Sequence, residues 1–274
     1  MVSFPNAKIN IGLNIIGKRA DGFHNLETIF YPVAIKDAVE IVEHKNALTD
    51  VVFSSTGNIV DVQDDDNLCV KAVHLLKKDF ELPPLKIHLH KNIPMGAGMG
   101  GGSADASAIL LLLNKKFQLN ISTEKLIEYA LLLGSDCPFF IINKPCFASG
   151  RGEVLQEINI NLSAYKIMIV HPCIHVHTGE AFAQLNANNF SPAGELAEQI
   201  KMDISQWKHN IKNDFEDSVF KNHVAIKEIK EKLYNEGAIY SAMSGSGSTV
   251  FGIFSLAADT TNIKFPSHYF CQMV

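Results

Sequence analysis

The chain has little that would tie it to nucleic acid, membrane or an oxidising compartment. Its 24 basic residues are outnumbered by 29 acidic ones, for a net charge of −5, whereas a protein that rides on a phosphate backbone carries a basic surplus. No apolar run approaches the roughly 18 residues of a membrane span; the longest useful one, Ala108–Leu113, has six. The first ten residues, MVSFPNAKIN, lack the charged n-region and apolar h-region of a signal peptide. Cysteine is sparse: Cys69, Cys137, Cys146, Cys173 and Cys271 are odd in number, widely spread and contain no C-x-x-C. That argues against a disulfide framework or zinc ribbon and for reduced thiols in the cytoplasm. Core-forming side chains, by contrast, are plentiful. Apolar residues fill 47% of 274 positions, against 19% charged, and 17 are Phe, which excludes a disordered polymer. At about 150 residues per domain the count is near two. No repeat, low-complexity tract or composition break marks a boundary, and the division is set near residue 160.

The N-terminal segment alternates, with Ala7, Ile9, Ile11, Leu13 and Ile15 on one side and Lys8, Asn10, Gly12 and Asn14 on the other. Period two predicts a strand with one buried face, and it puts Lys8 and Asn10 on the same side, about 7 Å apart. KRADG at 18–22 reads as a turn, and further strands are expected at Glu27–Val33, Ala38–Glu43 and Val51–Ser54. Asp64–Asp66 offer N-caps for a helix beginning near Asn67. Leu85–His90 alternates again. An apolar helix is expected from about Ala104 to Asn114, and a second from Ser122 or Thr123 to Leu133, stopped by Gly134 as a C′ residue. Tyr165–His171 reads as a buried strand. Asn213–Asn235 is mostly helical, ended by Gly237, and the loop Ser244–Ser248 leads into a strand at Thr249–Phe254.

Between the alternating strand and the apolar helix lie eleven residues, Pro94–Ala104, that hold five of the 18 glycines. Glycine lets backbone approach a ligand closely, and the free N–H groups and dipole of the following helix favour an anion, most often phosphate. Gly96-x-Gly98-x-x-Gly101 matches the dinucleotide fingerprint, which alone is weak. The preceding strand has a polar face (Lys86, His88, His90), unlike a Rossmann first strand. The chain has no G-K-[ST] and no H-R-D with D-F-G, which excludes a P-loop and a protein-kinase loop. A nucleotide-phosphate loop of another kind remains, beside the plain alternative of a tightly packed turn.

Three segments together resemble the GHMP kinases: Pro5–Asn10, Pro94–Ala104 and Met243–Gly252. Within that superfamily the match narrows through Ala7–Leu13 followed by Lys18–His24, the triple glycine at 100–102, and Leu133–Phe139. These look like the branch that phosphorylates a cytidyl-diphosphate-linked methylerythritol in the non-mevalonate isoprenoid route, and the likeness runs along nearly the whole chain. It implies an α+β, two-domain GHMP kinase fold, 1–160 carrying the phosphate loop and 161–274 following, with the active site in the interdomain cleft. It also implies an enzyme that moves the γ-phosphoryl of ATP, with Mg²⁺, onto the 2-hydroxyl of that small molecule, as monomer or homodimer. The ATP loop would be Pro94, Met95, Gly96, Ala97, Gly98, Met99, Gly100, Gly101, Gly102, Ser103 and Ala104. Asp136 would be the catalytic base and Lys8 its charged partner. Asn10 would help position the substrate, and Phe23, His24 and Phe182 would hold the cytosine. The family more usually has Tyr at the position of Phe23, so a hydroxyl contact is lost while stacking survives. Other members place serines where Gly101 and Gly102 stand, one of them on the metal; here that leaves the ion to ride on the nucleotide.

Each residue also has a plainer reading. Asp136, between Gly-Ser and Cys-Pro, could cap a turn or helix. Lys8 could be a solvated lysine, Phe23 and Phe182 core aromatics, His24 a surface histidine and Ser244–Ser248 a hairpin. His171, His175 and His177 invite a metal reading that no helix spacing or carboxylate supports. Rival functions are a GHMP kinase for mevalonate or homoserine, a silent nucleotide-binding protein on the same fold, and a dinucleotide-binding oxidoreductase.

Overall fold

A computed structural model describes residues 1–45, 49–58, 66–185 and 190–274. Its strands are β1 (Val2–Ser3), β2 (Asn6–Lys18), β3 (His24–Lys36), β4 (Ala38–Glu43), β5 (Val51–Gly57), β6 (Leu85–Lys91), β7 (Cys146–Ser149), β8 (Val154–Glu157), β9 (Tyr165–His171), β10 (Tyr240–Met243), β11 (Val250–Ser255) and β12 (Phe270–Met273). The helices are α1 (Leu68–Lys77), α2 (Gly101–Lys116), α3 (Thr123–Leu133), α4 (Cys137–Ile142), α5 (Thr178–Ala183), α6 (Glu195–Gln199), α7 (Ile204–Asn210), α8 (Glu216–Asn222) and α9 (Val224–Asn235). They fall into two compact units that interleave along the chain. One comprises 1–7, 34–95 and 100–143; the other comprises 8–33, 96–99 and 144–274. The sequence suggested a single division near residue 160.

The first unit is built on a sheet of order β1-β4-β6-β5, in which only β5 runs parallel to its neighbour β6. β6 alternates as its sequence dictates, burying Leu85, Ile87 and Leu89. Those residues pack with Val39 and Ile41 of β4, Val73 and Leu76 of α1, and Ile109 and Leu113 of α2. The cap of α1 is Asn67, whose side chain accepts from Cys69 N, and not an aspartate. Asp66 instead pairs with Lys71 at 3.1 Å; Asp64 and Asp65 lie outside the described residues. α3 begins at its Ser122 cap, as expected. Gly134 ends it in extended backbone (φ 168°) rather than the left-handed conformation of a C′ glycine, because the chain turns at once into α4.

The second unit holds two sheets, β2-β3-β7-β8 and β10-β11-β9-β12. Leu13 and Ile15 of β2 share a core with Met168 and Val170 of β9, Phe215, Ile226, Leu233 and Val250. The expected helix over 213–235 is two helices broken at His223. The segment after Phe254, which the sequence left without an account, returns as β12 to pair with β9. β2 departs most from expectation. Lys8, Asn10 and Asn14 are 3%, 2% and 3% exposed, so its polar side is buried too. Alternation reports which side is apolar, not what covers the other.

Candidate active site

In the second unit the buried polar side of β2 is a hydrogen-bonded floor. Lys8 Nζ donates to Asn10 Oδ1 at 2.6 Å and to Gly98 O at 3.3 Å, and it lies 4.8 Å from the centre of the Phe30 ring. Asn10 Nδ2 donates to Thr28 Oγ1 (2.9 Å), whose hydroxyl passes on to Gly12 O (2.6 Å). The pairing of Lys8 with Asn10 is what their shared side of a strand predicted.

Part of the glycine loop rests on this floor. Gly96, Gly98 and Gly100 all have positive φ (62°, 78° and 69°), an alternation that turns successive amides to one side. The intervening carbonyls point into the protein. Met99 O takes Lys8 N (3.0 Å), Ala97 O takes Thr249 N (3.2 Å) and Gly98 O takes Ser244 Oγ (2.8 Å). A Cβ on Gly98 would lie 2.2 Å from Ser244 O, so only glycine fits under the second loop. That loop is no free hairpin. Asn213 Nδ2 holds Met243 O and Gly245 O, both at 2.8 Å, and Glu216 accepts from Met243 N at 2.8 Å while pairing with Lys230 at 2.5 Å. Burial raises the Glu216 carboxyl against the pull of Lys230. Neither Asn213 nor Glu216 stood out in the sequence, where both read as the start of a helix.

In the first unit the rest of the loop becomes helix. Gly100 caps α2 in left-handed conformation, and the helix begins at Gly101, three residues earlier than the apolar pattern suggested. Ala104 N bonds back to Gly100 O at 2.9 Å, so the amides of Gly101, Gly102 and Ser103 form the first turn and have no intrahelical partner. The stem beneath is fastened by a buried triad that no sequence signal revealed. Lys91, at the end of β6, donates from Nζ to Asp37 Oδ2 and, at 2.8 Å, to Asp105 Oδ2 on α2. Asp37 Oδ1 accepts from Asn92 N (2.6 Å) and Ile93 N (2.8 Å). Burial, only partly offset by Lys91, pushes the Asp105 carboxyl up to about 8; burial opposes the Lys91 charge, but the two acids outweigh it and raise its pKa. Gly101 is part of this packing, since a Cβ there would meet Lys91 Nζ at 2.8 Å and Ile93 Cγ2 at 2.9 Å. At Gly102 the nearest atom is Leu68 Cδ1, at 3.9 Å.

Asp136 is half-buried at the N-cap position of α4, but its side chain does not cap the helix. Its place is set by α2: Ser107 Oγ donates to Cys137 O at 2.8 Å, and Ser103 also hydrogen-bonds the Cys137 side chain. The aspartate thereby sits beside the turn that opens the helix. On the other flank a cavity of about 240 Å³ is lined by Asn67, Leu68, Leu89, Met95, Gly102 and Asp105.

The aromatic residues are in the second unit. His24 stacks on Phe182 with ring centres 4.9 Å apart and planes at 21°, and Phe190 meets His24 edge-on at 6.3 Å. Burial, and then Lys18, lower the His24 pKa. The two rings are too close to admit a base between them, so a flat ligand would stack on an outer face. Phe23 is 55% exposed and carries the Arg151 guanidinium 4.9 Å from its ring centre. Arg151 is a further residue that sequence reasoning missed. A larger cavity, about 910 Å³, includes Phe190, Lys212, Asp217 and Lys221 on its wall but none of the residues nominated from sequence. His171 is buried in β9, where desolvation lowers its pKa to about 4, and His175 and His177 touch each other. Among the described residues no three His, Cys, Asp or Glu side chains gather as a metal cage, and no helix is long and apolar enough to cross a membrane.

Comparison with known proteins adds independent findings. The GHMP kinases N terminal domain matches residues 67–144 and the GHMP kinases C terminal domain residues 181–262. A 4-diphosphocytidyl-2-C-methyl-D-erythritol kinase of Bacteroides fragilis is 48% identical over 272 residues, covering 99% of this chain and 98% of its own. A crystal structure of 4-(cytidine 5'-diphospho)-2C-methyl-D-erythritol kinase superposes with a TM-score of 0.78 at 27% identity, over 92% of this chain and 90% of that one. The mevalonate kinase of Methanococcus jannaschii shares the fold alone, with a TM-score of 0.68 at 13% identity, over 100% of this chain and 98% of that one.

Proposed function

Because the chain belongs to the GHMP kinases, and among them to the 4-diphosphocytidyl-2-C-methyl-D-erythritol kinases, we propose that it transfers the γ-phosphoryl of ATP to the 2-hydroxyl of that cytidyl-linked methylerythritol, a step of the non-mevalonate isoprenoid route. It is a small-molecule phosphotransferase with ATP as co-substrate. The observation that carries the residue roles is the fixing of Asp136, through Cys137, Ser107 and Ser103, beside the first turn of the helix that ends the glycine loop.

Phosphoryl transfer asks a protein mainly for positioning and for neutralisation of spreading charge. The amides of 96–103 and the dipole of α2 face the phosphates. The cavity walled by Leu68 and Met95 suits the flat, largely apolar face of the adenine, with Asn67 as a polar contact. Asp136 accepts the proton of the attacking hydroxyl, or orients that hydroxyl until the proton leaves late in the reaction. Lys8, held by Asn10 and Gly98 O, supplies fixed positive charge, and Asn10 keeps that ammonium aimed. His24 and Phe182 offer an outer ring face to the cytosine, and Phe23 a second under Arg151.

Mg²⁺, bound with the nucleotide, would supply neutralisation of the phosphate charge. Of this chain's residues, Asp136 and Ser103 carry the oxygens that would suit such a hard cation. The N- and C-terminal family matches fall on either side of the division at residue 160, while the compact units of the fold interleave across it. We place the enzyme in the cytoplasm, where ATP and reduced thiols are found together.

The test is ADP release with Mg²⁺–ATP and, in turn, the cytidyl-methylerythritol, mevalonate, homoserine and galactose. Turnover with the first alone is expected. Turnover with mevalonate or homoserine in its place would overturn the assignment of acceptor.

A further inference from the structure

The two glycine-bearing loops, Pro94–Ala104 and Ser244–Ser248, contain no Lys or Arg, although a bound phosphate chain brings several negative charges to them. The segment Ile174–Thr178 lies across both loops. Ser248 Oγ donates to Ile174 O, and Thr178 Oγ1 shares a hydrogen bond with Ser246 Oγ at 2.8 Å. A Cβ on Gly247 would come 3.5 Å from Val176 Cγ2, and one on Gly96 would come 2.9 Å from His175 Nδ1. Glycine at 96 therefore makes room for the His175 ring, a requirement separate from any ligand. Val176 is buried, while His175 and His177 on either side of it are exposed. Their rings meet at 4.4 Å, nearly perpendicular. A buried valine thus pins the segment down, and two adjacent imidazoles remain open to solvent, with His175 against Gly96 at the start of the loop.

We propose that His175 and His177 are a phosphate-contacting pair, adding N–H donors and, when protonated, positive charge where the loops have none. An imidazole donates one N–H when neutral and two when charged, and either form suits a phosphate oxygen. The phosphate belongs to the ATP tail or to the diphosphate of the cytidyl substrate. This rests on the kinase reading above. The role is one of binding, because the His175 ring lies against Gly96 of the phosphate loop and His177 packs on that ring.

The test uses the full chain with His175→Ala, His177→Ala and the double substitution, measuring KM for each substrate at saturation of the other. A charge-assisted hydrogen bond lost from a binding site corresponds to a rise of about tenfold. We expect such a rise in one KM with kcat and melting temperature little changed, and partial recovery in His175→Gln, which keeps an N–H donor. A rise in the ATP constant identifies the triphosphate as the partner; a rise in the other identifies the diphosphate. Unchanged constants in the double variant, or a fall in kcat alone, overturn the proposal. If the native chain shows no turnover with the cytidyl acceptor, the kinase reading fails instead. Calorimetric titration of native and double-variant protein with ATP and with cytidine 5'-diphosphate then still decides the pair.

Discussion

Asp136 has a side chain at a helix start that does no capping, in a position where aspartate normally would. Its neighbour Cys137 accepts at its carbonyl from Ser107 Oγ, which ties the turn to α2, and asparagine keeps the shape of the aspartate. Asp136→Asn should therefore leave the fold intact and lower kcat by about two decades or more, with modest change in nucleotide affinity; near-native turnover would remove Asp136 from the chemistry. Phe182 is different, because its ring has two jobs. It stacks on His24 and also packs edge-on against Phe215 at 4.8 Å. Phe182→Ala should raise KM for the cytidyl substrate by the equivalent of about 1–3 kcal/mol, as for stacked bases elsewhere, and should also lower the melting temperature. Phe182→Leu separates the two effects: it restores much of the packing but not the flat face, so KM should stay high while the melting temperature recovers. Recovery of both would mean that Phe182 is a core residue only.

At the scale of elements, the glycine loop divides its five glycines between two kinds of work. Gly98 and Gly101 are needed by the protein's own packing, against Ser244 O and against Lys91 with Ile93. Gly102 has open space in front of it, on the wall of the 240 Å³ cavity. Gly101→Val should therefore destabilise the stem and say little about ligands. Gly102→Val should fold normally and weaken ATP binding at least about tenfold, read by calorimetry; undiminished affinity would move the nucleotide off this loop. The loop, the alternation of β2 and the cap at Ser122 were legible in the sequence because each is a local signal. The triad Lys91–Asp37–Asp105 was not, since 54 residues separate Lys91 from Asp37 and neither carries a pattern of its own. Asn213 and Arg151 escaped for the same reason. The aspartates before α1 misled because Asn67 stands one residue nearer the helix and takes the cap.

For the whole molecule, the buried triad couples stability to pH. One lysine and two aspartates enclosed together are neutral only if one acid keeps its proton, and Asp105, raised to about 8 by burial, is the acid that does. Its folded pKa lies above the value near 4 expected of an unfolded aspartate. Between those limits the native state holds a proton that the unfolded chain has released, so stability falls as pH rises, by at most about 1.4 kcal/mol per pH unit for one proton. The contribution is whole below about pH 4, erodes through neutrality and is spent above about pH 8. Urea midpoints from pH 5 to pH 9 should show this decline and its levelling. Asp105→Asn, which cannot ionise, should flatten that part of the curve without loss of folding. Lys91→Met should instead cost about 3–5 kcal/mol, because it leaves the buried Asp37 carboxylate without its cation. Since the same triad ties β6 to α2 on either side of the glycine loop, nucleotide affinity in the Lys91 variant should fall together with stability. In Asp105→Asn, affinity should hold. A pH profile unchanged by Asp105→Asn would show that Asp105 is not the group that holds the proton.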